Sequence, residues 1–171
     1  IASEVSLPAG VLNVVPGYGE VAGTALVRHP GVHKIAFTGS TEVGKVIMRE
    51  CVESLKQVSL ELGGKSPNIV FPDADLEAAA RGAFSGIFYN AGQACTAGSR
   101  LLVHESVHDE LMERIVERAK RMEPGDPLDS KSRMGPLISE EQLERVLGYV
   151  SRGREEGAEL LVGGSRAEYQ G

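Results

Sequence analysis

Three short stretches of the chain carry residue types able to do chemistry. Cys95 lies in Asn90-Ala91-Gly92-Gln93-Ala94-Cys95-Thr96-Ala97-Gly98. Small side chains on both sides leave a substrate room to reach the sulfur and let backbone N–H groups face a developing oxyanion. A thiolate beside a helix end or a cation is a strong nucleophile. Cysteine is also among the most often buried residue types, and a buried thiol is inert, so the pattern leaves both readings open. Cys51 shares a helical repeat with Val43, Val46 and Ile47, which is the position of a core residue.

Glu61 lies in Val58-Ser59-Leu60-Glu61-Leu62. Strand alternation sends its side chain opposite to Val58, Leu60 and Leu62. It reads either as a general base or as a solvated carboxylate at a strand edge. The third stretch, Gly39-Ser40-Thr41-Glu42-Val43-Gly44, joins an apolar run to an amphipathic one. A helix N-terminus offers backbone N–H groups and a positive dipole end, which suits a pyrophosphate. The stretch matches neither the dinucleotide fingerprint nor the P-loop, because Val46 follows Lys45 where a hydroxyl residue belongs; a plain capped turn is the other reading. Gly17 to Gly23 also follows a strand-like run, with spacing one residue too long for the fingerprint. His29, His33, His104 and His108 lack metal-ligand spacing with a carboxylate or thiol, so no metal site is expected.

These stretches need elements to hold them. Strands are predicted at residues 11–15, 34–38, 57–62, 68–71, 101–103 and 159–162 from β-branched or alternating apolar runs bounded by turn residues. Helices are predicted after Gly39-Ser40-Thr41, after Asp73 or Asp75, after Ser106 with Asp109 as a capping box, and after Ser139 with Gln142 as a second one. Their inward faces are Leu76, Ala79, Ala80, Ala83, Phe84 and Ile87; then Val107, Leu111, Ile115, Ala119 and Met122; then Leu143, Val146, Leu147 and Val150. Alternating strand and helix favours an α/β fold with a mainly parallel sheet. Gly63-Gly64 breaks a strand with no helix following, and this is the expected seam between residues 1–63 and 64–171.

Composition narrows the function classes. The net charge is −6 and the 18 basic residues are dispersed, which gives nucleic acid and anionic membrane little to hold. No apolar run reaches the roughly 18–20 residues that span a bilayer. A soluble, intracellular protein is the expectation. Two cysteines are too few for a disulfide scaffold. The 21 glycines exceed the roughly 12 of average usage, which points to tight turns or close backbone approaches.

Taken in order, Phe37-Thr38-Gly39-Ser40-Thr41-Glu42-Val43-Gly44, Leu60-Glu61-Leu62-Gly63-Gly64-Lys65-Ser66-Pro67 and Gly92-Gln93-Ala94-Cys95-Thr96-Ala97-Gly98-Ser99-Arg100 resemble the NAD(P)-dependent aldehyde dehydrogenase superfamily. The similarity extends from about Leu7 to Gly164. It implies an aldehyde dehydrogenase-like α/β fold, with residues 1–63 the C-terminal part of a Rossmann-like cofactor domain and 64–171 the N-terminal part of the catalytic domain. By the same resemblance Cys95 is the nucleophile, Glu61 the general base, and NAD or NADP the cofactor. Gly39 and Ser40, with Thr41, Glu42, Val43 and Gly44 of the same turn, are implied at its phosphates. Gly19 and Glu20 are implied along the adenosine, Leu62 and Gly63 near the nicotinamide, and Gln142 at a ribose; Arg145 stands where the family often has lysine. The substrate is an aldehyde, and the parent enzyme is expected to be a homo-oligomer. The family's Pro-Trp-Asn oxyanion-hole stretch, its ribose-binding Lys and Glu, and its Glu-Ile-Phe-Gly-Pro motif are absent from the sequence. The chain is therefore expected to be a central piece with little or no activity alone. A catalytically silent binding module and a cysteine hydrolase pairing Cys95 with a histidine are the alternatives.

Overall fold

A computed structural model describes residues 4–122 and 124–167 of the chain. Strands β1 (Lys34–Gly39) and β2 (Gln57–Leu62) pair in parallel. A parallel pair needs a crossover connection rather than a hairpin, and helix α2 (Thr41–Val52) supplies it; the shorter α1 (Thr24–Arg28) precedes β1. The register sets Ile35 beside Val58 and Phe37 beside Leu60. These four turn to one face and pack on Val27, Ile47 and Cys51. The predicted inward face of α2 is thus half right: Val43 and Val46 are exposed, while Ile47 and Cys51 are buried.

Two devices lock this first unit, Ile1–Gly63. A Cβ on Gly44 would lie 2.8 Å from Leu62 Cδ2, so glycine is what lets α2 approach β2 this closely. Lys56 is buried, and its Nζ donates to Val27 O at 2.8 Å and His29 O at 2.5 Å. Two carbonyl partners offset much of the cost of taking the ammonium out of water. Arg28 also reaches across to Glu50 with two bonds of 2.7 and 2.8 Å. That hydrogen bonding holds the Glu50 carboxyl below its usual range of about 4.5. The pair therefore contributes above that pH and is lost as pH falls through the lowered value.

The second unit, Gly64–Gly171, repeats the parallel plan with β3 (Pro67–Val70), α3 (Leu76–Phe88) and β4 (Arg100–Val103). Asp75 caps α3 by accepting from Glu77 N at 3.0 Å and Ala78 N at 3.1 Å. Helix α4 (His108–Lys120) follows β4, and α5 (Glu140–Glu155) begins at Ser139, whose Oγ accepts from Gln142 N at 3.2 Å. Val70, Ala80 and Leu111 form the buried centre, flanked by Leu76, Ala79, Leu101, Val103 and Ile115. Glu77 on α3 pairs with Arg114 and Arg118 on α4, pinning the two helices at the surface. Ile69 and Leu102 face each other in register on the opposite side of the sheet and are exposed.

Three sequence expectations fail for physical reasons. Residues 11–15 and 159–162 are not strands; no strand among the described residues pairs with either, and an apolar run without a neighbour has nowhere to place its backbone hydrogen bonds. Ser106 does not cap α4. The turn is held instead by His104, whose Nδ1 accepts from Ser106 N at 3.2 Å, and a short tight turn at Glu105–Val107 leads into the helix.

Two substitutions test this packing. Replacing Leu111, which is fully buried, by alanine should cost about 2–5 kcal/mol. Lys56→Met leaves the Val27 and His29 carbonyls without their donor and should cost about 1–3 kcal/mol. Urea unfolding midpoints measure both.

Candidate active site

Parallel register decides which loops meet in the second unit. Pro67 at the start of β3 aligns with Arg100 at the start of β4, so the segments leading into the two strands run side by side. One begins at Gly64 and the other contains Cys95. Arg100 fastens them: its backbone N–H donates to Ser66 O at 3.3 Å and its Nε to Lys65 O at 2.8 Å. A Cβ on Gly64 would lie 3.1 Å from the Cys95 carbonyl oxygen. A side chain at position 64 would push the cysteine loop away.

The loop is also fixed from its upstream side. After α3 ends, Asn90 (φ 51°, ψ 39°), Ala91 (φ 54°, ψ 33°) and Gly92 (φ 76°) are all left-handed. A non-glycine residue there costs roughly 1–2 kcal/mol, and such strain persists only where the surroundings over-determine the backbone. Gln93 N donates to Asn90 O at 3.1 Å, Ala97 N to Ala94 O at 3.1 Å, and Gly98 N back to Gly86 O in α3 at 3.2 Å, with Ala97 buried. Held this way, Cys95 is exposed, whereas Cys51 is buried. The two readings of Cys95 left open by the sequence thus separate: its sulfur is not core filler.

In the first unit the register aligns Gly39 with Leu62, so the turn into α2 and the end of β2 share the C-terminal edge of the sheet. That edge is where open α/β sheets bind ligands. Gly39, Ser40, Thr41, Glu42 and Val43 are exposed there, and Ser40 Oγ caps α2 by accepting from Val43 N at 3.2 Å. The N-terminus of this twelve-residue helix, with its positive dipole end, fits the phosphates of a dinucleotide. Gly44 of the same turn is buried against Leu62, where it lets the helix pack closely. Glu61 is exposed on the face away from α2, aligned with Thr38. Leu62 is half-buried beneath α2, Gly63 is exposed, and Gly19 and Glu20 are exposed in a helical turn before α1.

Gln142 sits half-buried in the first turn of α5. The apolar side of that helix, with Leu143, Val146, Leu147 and Val150, lines an open cleft of about 690 Å³ that also touches Ala91 and Gly92. Among the described residues no group of three or more His, Cys, Asp or Glu side chains could hold a metal, and no helix is long and apolar enough to cross a membrane. Sequence reasoning gave Gln93 no role, although its side chain makes two of the loop's contacts; two residues from a candidate nucleophile, its long amide was the available signal.

The difference in exposure between the cysteines predicts their reactivity. Iodoacetamide should label Cys95 at least about tenfold faster than Cys51 in the folded chain, with the gap closing in urea. Mass spectrometry of the labelled peptides reads the ratio, and equal rates in the folded state contradict the placement.

Comparison with known proteins agrees with these features. The Aldehyde dehydrogenase family pattern matches residues 1–171. The chain is 53% identical over 167 residues to phenylacetaldehyde dehydrogenase of Pseudomonas fluorescens, covering 98% of this chain and 33% of that protein. It is 49% identical over 172 residues to the mitochondrial aldehyde dehydrogenase of Homo sapiens, covering 100% of this chain and 33% of that protein. Among solved structures, an NAD+ complex of aldehyde dehydrogenase from Bacillus cereus superimposes with a TM-score of 0.95 at 50% identity, over 98% of this chain and 34% of that one. The chain thus spans about a third of the length of the curated relatives it matches. By this match the chain belongs to the aldehyde dehydrogenase family.

Proposed function

We propose that this chain supplies the nucleophile, the general base and part of the cofactor cradle of an enzyme that oxidises an aldehyde to a carboxylic acid with NAD or NADP. The observation that carries the reading is the exposed sulfur of Cys95 on a strained loop pinned at both ends, within a chain matching this family along its whole length. The relative solved with NAD+ supports the cofactor class.

The roles are those that the resemblance to the family implies, and the chemistry of the side chains is compatible with them. Cys95, as the thiolate, adds to the aldehyde carbonyl carbon and forms a thiohemiacetal, whose oxyanion needs N–H donors in a loop that does not reorganise. The strain and the tethers keep this loop fixed through the step. When bound, NAD or NADP would supply the acceptor for the hydride lost from that carbon, so that Cys95 would be left carrying a thioester. Glu61 then takes a proton from water, the resulting hydroxide attacks the thioester carbonyl, and the carboxylic acid departs as the Cys95 thiolate is restored. Gly39, Ser40 and the first turn of α2 hold the cofactor phosphates, Gly19 and Glu20 line the adenosine, Leu62 and Gly63 adjoin the nicotinamide, and Gln142 binds a ribose. Gly44 acts from behind by letting α2 lie close to β2. In this reading residues 1–63 belong to the cofactor domain and 64–171 to the catalytic domain, and the whole enzyme works in the cytoplasm as a homo-oligomer. The exposed Ile69–Leu102 face supports a catalytic domain whose sheet is covered by further chain.

Four outcomes test the proposal. In the whole enzyme, Cys95→Ala should lower NADH formation by several orders of magnitude, whereas Glu61→Gln should lower steady-state turnover by about 10²–10⁴-fold while leaving a stoichiometric burst of NADH. Gly64→Ala should lower kcat by about a few-fold, since the Cys95 carbonyl must give by a few tenths of an ångström and a displacement of about an ångström costs on the order of a hundredfold. The 171-residue chain alone should form NADH at a small fraction of the whole enzyme's rate; a comparable rate would overturn the view that the missing two thirds complete the site.

A further inference from the structure

The side chain of Gln93 stands between two parts of the second unit. On one side its Nε2 donates to Asn90 O at 3.3 Å, while Asn90 Nδ2 returns a bond to Gln93 O at 3.2 Å. These two bonds close the left-handed run of Asn90, Ala91 and Gly92 onto the residue that follows it. On the other side Gln93 Oε1 accepts from Ile138 N at 3.2 Å, across 45 positions of sequence. Ile138 directly precedes Ser139, which caps α5. The amide is half-buried and uses both its donor and its acceptor.

Ile138 makes the contact conspicuous. Its side chain is 83% exposed, so the residue is not anchored through its own packing. Its N–H nevertheless meets a partner from the cysteine loop. Without the Gln93 side chain the exit of the left-handed run would keep the Gln93 N to Asn90 O and Asn90 Nδ2 to Gln93 O bonds but lose its tie to Ile138, while each non-glycine left-handed residue still costs roughly 1–2 kcal/mol of backbone energy.

We propose that Gln93 is a positioning residue for the reaction at Cys95: it clamps the cysteine loop to the entrance of α5 and so fixes where the sulfur stands. This rests on the reading of Cys95 as nucleophile. Gln93 touches no reacting atom. Its effect is on geometry, and it should fall on the step in which sulfur meets carbon and not on the thiol's intrinsic reactivity.

The test compares Gln93→Met, which keeps the length and loses both bonds, with Gln93→Glu, which keeps the acceptor for Ile138 N. In the whole enzyme Gln93→Met should lower kcat by about 10–100-fold, leave the aldehyde KM within about threefold, and leave alkylation of Cys95 by iodoacetamide within about threefold. A small reagent needs an accessible thiol but not an aimed one. Gln93→Glu should recover most of the lost kcat. Hydrogen exchange supplies a readout free of catalysis: the Ile138 amide should be protected in the wild type and in Gln93→Glu, and should exchange in Gln93→Met at the rate of an open loop. A kcat for Gln93→Met within threefold of wild type overturns the proposal, as does an unprotected Ile138 amide in the wild type. The wild-type exchange measurement decides the matter even where Gln93→Met fails to fold. Should Cys95→Ala retain full activity, the nucleophile reading fails on its own account, and the exchange result still reports whether the clamp exists.

Discussion

Parallel pairing of strands is the constraint on which the rest depends. A parallel pair cannot be closed by a tight turn, so the chain must cross over through a helix and return to the same edge. The first unit uses α2 for this and the second uses α3. In the first unit the return brings the end of β2 level with the end of β1, Leu62 beside Gly39. The capped helix N-terminus and the Glu61-Leu62-Gly63 segment are thereby delivered to one edge. In the second unit the strand entrances are what coincide, Pro67 beside Arg100, and this places the Cys95 loop against Gly64. No long-range side-chain pair is needed to make either juxtaposition.

What the register brings near, local contacts make rigid. The buried Lys56 closes α1 onto the start of β2 through two main-chain carbonyls, and Gly44 removes the atom that would hold α2 off the sheet. Around Cys95 the same logic runs at higher cost. Two non-glycine residues in the left-handed region are unfavourable by themselves, and they persist because α3, the Gly64 segment and Gln93 each hold part of the loop. A nucleophile carried on such a loop is exposed to substrate without being free to move, which is the requirement for a reaction that develops an oxyanion beside it.

Much of this was legible in the sequence. Period-two alternation identified β2 and the outward direction of Glu61, the pair Asp73 or Asp75 bracketed the start of α3, and Ser139 announced that of α5. The small residues around Cys95 left an accessible and a buried thiol both open, and the exposure of the loop separates them. The failures have a common origin. Residues 11–15 have strand-like composition but find no pairing partner among the described residues, and a strand is a property of two segments, not one. The role of His104 at the turn before α4 depends on a ring nitrogen meeting a particular N–H, which composition does not encode. The packing of Gly44 against Leu62 was not legible either, because glycine serves both close ligand approach and close helix packing. The Gln93 to Ile138 contact spans 45 residues and arises from the path of the loop after α4.

The central claim is that Cys95 forms a covalent bond to the substrate carbon during turnover. Mass spectrometry of the acid-quenched whole enzyme, carrying Glu61→Gln to slow hydrolysis and mixed with an aldehyde and NAD, measures this directly. The account predicts an acyl adduct on the peptide containing Cys95, its mass equal to that of the aldehyde less two hydrogen atoms, formed only when NAD is present. Formation of NADH with no adduct on Cys95, or with the adduct on Cys51, would contradict it.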